Sequence, residues 1–65
     1  MKYSYFISFE WSRENGEAGA RNCRIVEDRK ITEYKQIEEI QKRIAIANRM
    51  ATVAINNFIL LEVTP

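Results

Sequence analysis

Residues 3–12 alternate with a period of two: Tyr3, Tyr5, Ile7, Phe9 and Trp11 fall on one side, Ser4, Ser8, Glu10 and Ser12 on the other, with Phe6 among them. Aromatic and β-branched residues in strict alternation predict a β-strand. Arg13-Glu14-Asn15-Gly16-Glu17 follows, and its Asn-Gly accepts the positive φ of a tight turn. Ala18-Gly19-Ala20 adds a second flexible point, so the loop is expected to be longer than two residues. Strand character resumes over 20–27, with Cys23 and Ile25 facing one way and Asn22, Arg24 and Val26 the other. Its charges suit a sheet edge.

After a turn at Asp28-Arg29-Lys30 the period changes. Thr32 is the expected N-cap, with Glu33 in the first turn, where the helix dipole favours negative charge. Tyr34, Ile37, Ile40, Ile44 and Ala47 recur at three- and four-residue spacing and mark the buried face of a helix. Glu38→Lys42 and Glu39→Arg43 are i,i+4 pairs on the opposite face, and Asn48 is the expected left-handed C-cap. Residues 52–62 read as a strand once more, with the alternation slipping at Asn56-Asn57. Either a β-bulge restores the register there or the two asparagines form a hairpin turn.

The order β-β-α-β, with a right-handed crossover through the helix, brings the third strand beside the first. The expected fold is α+β: a three-stranded antiparallel sheet in order 2-1-3 with one helix on one face, residues 1–65 as a single domain. Ile7, Phe9, Ile37, Ile40, Ile44 and Ile55 are the expected core.

Composition narrows the chemistry. The chain has 65 residues, ten Lys/Arg against nine Asp/Glu, no histidine and one cysteine. A chain of this mass folds to an accessible surface of about 4,300 Å², burying roughly 60% of what the unfolded chain exposes. One cysteine closes no intrachain disulfide, and without histidine neither a structural zinc site nor imidazole-based catalysis is expected. No cofactor is expected, nor a metal. Tyr3-Ser4-Tyr5 stands where a signal peptide would carry its apolar stretch, and Phe58–Leu61 is too short to cross a bilayer. A cytoplasmic protein without membrane contact is expected. A net charge of +1 supplies no field for nucleic acid.

Single residues offer little catalysis. Glu38-Glu39 lie on a helix surface, and Glu27-Asp28, Glu14 and Glu17 lie at or near turns, so none is expected to share the apolar cleft that a catalytic pair requires. Cys23 sits near Arg21 and Arg24, which would favour a thiolate, but a free cysteine in a strand more often packs as a small hydrophobe. The glycines of the first loop precede a strand, whereas a phosphate cradle needs a helix there. The chain is not expected to be an enzyme.

Two groups remain as candidates for partner binding. Arg21, Arg24, Arg29 and Lys30 form a basic cluster around the second strand, with Arg13 beside it. Apolar residues exceed what one helix can cover: Phe6 points to the bare sheet face, joined by Phe58 and Leu60 or by Ile59 and Leu61 according to register, while Ile46 lies on the outer side of the helix with Met50 nearby. A contiguous apolar group on a bare sheet face marks an interface. The expected partner set is therefore Phe6, Arg21, Arg24, Arg29, Lys30, Ile46, Phe58 and Leu60.

The runs Tyr5-Phe6-Ile7-Ser8-Phe9, Gly19-Ala20-Arg21-Asn22-Cys23, Ile31-Thr32-Glu33-Tyr34 leading into Ile37-Glu38-Glu39-Ile40, and Ala54-Ile55-Asn56-Asn57-Phe58 resemble small phage and prophage accessory proteins of β-β-α-β pattern. That resemblance implies a non-catalytic protein that inhibits or sequesters a host protein or complex, of counter-defence or anti-CRISPR type, acting in the host cytoplasm. It assigns no functional residue. A homodimer is a further expected form, and a small nucleic-acid or nucleotide binder acting through the basic edge strand is the alternative.

Overall fold

Strands β1 (Lys2–Ser12) and β2 (Ala18–Glu27), helix α1 (Tyr34–Asn48) and strand β3 (Thr52–Thr64) follow one another in the computed structural model, which describes residues 1–65. Both outer strands pair antiparallel to β1, giving the sheet order β2-β1-β3. The fold is α+β with the expected topology, and each strand begins or ends within two residues of its sequence-based boundary.

The hairpin between β1 and β2 is closed by the Arg13 N–H donating to the Glu17 carbonyl at 2.8 Å and the Gly16 N–H to the Arg13 carbonyl at 3.1 Å. Gly16 takes φ +93°, the left-handed region its lack of a Cβ permits. Asn15 Oδ1 accepts the Glu17 N–H at 3.0 Å, the side-chain turn for which asparagine is suited. Gly19 is no second flexible point. It lies within β2 opposite Trp11, and a Cβ there would sit 3.0 Å from the indole ring.

The odd-numbered residues of β1 face the helix. Tyr5, Ile7 and Phe9 are buried against Ile40 and Ile44, with Ile31, Met50 and Val53 completing the core and Ile25, Ile37, Ala45, Ile55 and Cys23 packed at its margin. Two expectations are corrected here. Tyr34 and Ala47, expected on the inner stripe, are exposed, and Ala45 packs inward instead, because the side of the helix that carries Gln41 and Ala45 lies beside β3. Met50, expected on the surface, is buried as the chain turns back over the end of the helix. Ile31, to which the sequence reading assigned no place, is buried too, its N–H donating to Tyr5 Oη at 2.8 Å.

Both helix caps fall one residue later than expected. Glu33, with extended backbone, is the N-cap, because Gln36 Oε1 accepts the N–H groups of Glu33 and Thr32 at 3.0 and 2.8 Å while its Nε2 donates to the Lys30 carbonyl at 3.0 Å. Arg49, at φ 55°, is the left-handed C-cap, and Asn48 stays helical with its Nδ2 donating to the Ile44 carbonyl. Neither expected i,i+4 ion pair forms. Arg43 instead reaches Glu27 on β2 at 2.6 Å, pinning helix to sheet.

The slip at Asn56-Asn57 is a bulge. Ser8 pairs with Asn57 but Phe9 with Ile55, leaving Asn56 as the extra residue. A second bulge, which the alternation does not announce, inserts Leu61 between the pairs Tyr5–Leu60 and Ser4–Glu62.

Candidate binding surface

Register decides which side chains share a surface. Phe6 pairs with Ile59 on one side and Arg24 on the other, and Ser4 pairs with Val26, so the face away from the helix presents Phe6, Ile59 and Val26. No layer covers them, and they are 37%, 50% and 55% exposed. Phe58 and Leu60, expected as one of two sets that could join Phe6, pair with Ile7 and Tyr5 and therefore lie on the helix side. The odd number of residues inserted at Asn56 makes this choice.

Phe58 and Leu60 are nonetheless solvent-exposed, at 41% and 38%. Phe58 stacks edge-on against Tyr5, with ring centroids 6.0 Å apart, where the helix begins, and it forms a shallow groove with Ile31, Tyr34 and Ile37. Fifteen residues of α1 reach about 22 Å, whereas thirteen of β3 reach about 43 Å, so the last part of β3 projects beyond the helix. Phe58, Ile59, Leu60, Leu61 and Val63 are thereby exposed on both faces of an edge strand whose last charged residue is Glu62. Ile46 is 81% exposed on the outer side of the helix, apart from this group.

The basic cluster does not assemble. Arg21 and Arg24 differ by three in sequence, so they occupy opposite faces of β2. Arg24 lies across the bare face, its Nε donating to Ser4 Oγ at 2.7 Å and covering that serine, while Arg21 sits by Trp11. Arg29 and Lys30 belong to the turn after β2, whose last residue, Glu27, is about 20 Å along the strand from Arg21. A different grouping takes its place at the other end of the molecule: the Trp11 ring has the Arg13 guanidinium 4.7 Å from its centroid and that of Arg21 5.9 Å away. Sequence reading placed Trp11 and Arg21 separately, since only the pairing of Trp11 with Gly19 shows that the indole leans over β2.

Two titratable groups sit where their surroundings shift them. Burial pushes the Cys23 thiol above its ordinary value, opposed by the nearby Arg21 guanidinium, so the expected packing role fits better than a thiolate. The hydrogen bond and charge of Lys2 hold the Asp28 carboxyl below its ordinary range. Glu14, Glu38 and Glu39 are exposed, and Glu17 and Glu27 are engaged by Arg13 and Arg43. No group of three or more His, Cys, Asp or Glu side chains converges in a way that could hold a metal ion. No helix is long and apolar enough to cross a membrane. No family model matches the chain, and comparison with characterised proteins and with solved structures finds no match.

Proposed function

We propose that this chain is a non-catalytic protein-binding module that engages its partner through the bare face of the sheet. The observation that carries the reading is the cross-strand pair Phe6–Ile59, half exposed on a face with no covering layer and flanked by Val26. Apolar side chains paired in this way give a flat hydrophobic centre, and Ser8, Asn57 and Arg24 around them give the polar rim typical of protein interfaces. The resemblance to small phage accessory proteins extends the proposal to a host protein or complex that is blocked or sequestered by occupation of one of its surfaces.

The second reading, nucleic-acid binding, rests on Trp11 and its two arginines. With two guanidinium groups over the ring, phosphate contact is the interaction this end offers best. Affinity capture from bacterial lysate at low and high salt, with the parent chain, Phe6→Glu and Arg13→Ala/Arg21→Ala, separates the two. A protein partner retained at high salt and lost only with Phe6→Glu supports the first reading. A nucleic-acid partner eluted by salt and lost only with the arginine pair replaces it with the second.

A further inference from the structure

The free edge of β3 calls for a different occupant from the bare face. The accessible surface is 4731 Å², whereas a folded chain of this mass exposes about 4,300 Å². The excess, roughly 400 Å², accompanies an elongated shape of 42 × 18 × 18 Å. Five side chains at the projecting end, Phe58, Ile59, Leu60, Leu61 and Val63, are exposed by 41, 50, 38, 55 and 42%. With side chains of their size offering about 150–200 Å² each, they leave on the order of 400 Å² of apolar surface.

That surface lies on both faces of one strand. A partner packed flat against the sheet covers one face only, whereas a strand added along the edge flanks the side chains of both. The edge is sealed farther back: Gln41 Oε1 on the helix accepts the outward N–H of Ile55 at 2.9 Å. Past the Asn56 bulge the helix no longer supplies such a cap, and four residues, Asn57–Leu60, run in regular register before the next bulge at Leu61. The opposite edge differs. β2 carries Arg21, Arg24 and Glu27, the charges that discourage edge pairing, while β3 carries Glu62 alone.

We infer that this chain forms a homodimer in which the 57–60 segments of two copies pair antiparallel about a two-fold axis, joining two three-stranded sheets into one of six strands. A second copy suits this edge because an isologous contact needs only self-complementarity, and an apolar segment provides it without repulsion. An axis anywhere within 57–60 leaves the two Glu62 carboxylates at least about 13 Å apart along the strands. The area of five side chains per copy, with the backbone edge and the adjoining Tyr34, approaches the roughly 800 Å² per partner of a standard interface from below, so a micromolar dimer is expected. Only nine of 65 residues are buried in one copy, and association adds the burial that a single small core lacks.

The test is light scattering from low to high micromolar concentration on the parent chain, Leu61→Lys, Ile59→Lys and Val26→Lys, with circular dichroism reporting folding and hydrogen exchange reporting the amides of 57–60. The expected result is a mass rising from 7.7 kDa toward twice that value for the parent and for Val26→Lys, with slowed exchange at 57–60, while Leu61→Lys stays folded and monomeric. Leu61 is an inserted residue more than half exposed, so its replacement spares the core; if Ile59→Lys unfolds, Leu61→Lys alone decides. A parent chain that is monomeric throughout overturns the inference, as does a dimer that leaves exchange at 57–60 unchanged. The Phe6→Glu capture experiment reads the bare face separately, since Phe6 is on the central strand and off this edge; Ile59, its cross-strand partner, belongs to both surfaces, so Leu61→Lys is the variant that distinguishes them.

Discussion

Tyr5 Oη, at the centre of the core, accepts the backbone N–H of Ile31 from the crossover segment at 2.8 Å. One phenol thereby fixes where the chain leaving β2 crosses the sheet, and it satisfies a donor that burial would otherwise leave unpaired. Tyr5→Phe keeps the ring, including its edge-on contact with Phe58, and removes only the acceptor. A loss of about 1–3 kcal/mol is expected. Thermal unfolding of the two proteins side by side measures it, and an unchanged melting temperature would show that water replaces the phenol.

Ile40 is 2% exposed and packs between the helix and the central strand. Ile40→Ala should cost roughly 2–5 kcal/mol, enough to populate the unfolded state of a domain this small. Urea denaturation with an unreduced midpoint would contradict the packing described for the inner helix face.

Gln36 holds the start of α1 through one amide: its oxygen accepts two backbone N–H groups and its nitrogen donates to the Lys30 carbonyl. Gln36→Ala is expected to lower stability by about 0.5–2 kcal/mol, with faster hydrogen exchange confined to residues 31–36. A uniform acceleration along the chain would point to a global effect instead.

Burial disfavours the Cys23 thiolate and holds the thiol above its ordinary value. The raised folded-state value means that the thiol contributes stability in full below the unfolded value and loses it as pH climbs toward the folded one. The melting temperature should therefore decline in the alkaline range, and Cys23→Ala should remove part of that decline. Iodoacetamide should label the native protein at mildly alkaline pH more slowly than the denatured protein.

Period and turn chemistry made the elements and their order legible. The alternation of Tyr3 to Trp11, the Ile37–Ile40–Ile44 stripe and the Asn-Gly turn each act within a few neighbouring residues, and each stands where sequence places it. The misplacements arise from contacts distant in sequence. Ile31 is buried because Tyr5 reaches it, and Arg43 turns from Glu39 to Glu27 because the sheet brings a carboxylate within 2.6 Å. The candidate surface shows the same limit. Phe6 was identifiable from its parity in β1, but choosing Ile59 over Phe58 and Leu60 required the count of residues at the Asn56 bulge. The basic cluster failed for a reason available in its own spacing, since residues 21 and 24 cannot share a strand face.

The Gln41–Ile55 hydrogen bond has a dynamic consequence. It ties the near half of β3 to the helix, so the amides around Val53–Ile55 can exchange only when helix and strand separate, close to complete unfolding. In a single copy the far half, paired with β1 alone and interrupted at Leu61, can peel away by itself at much lower free energy, and pairing with a second copy would suppress that opening. The molecule is thus graded along its 42 Å length, from a rigid root under the helix to a strand tip that opens and recloses many times during the life of the folded chain.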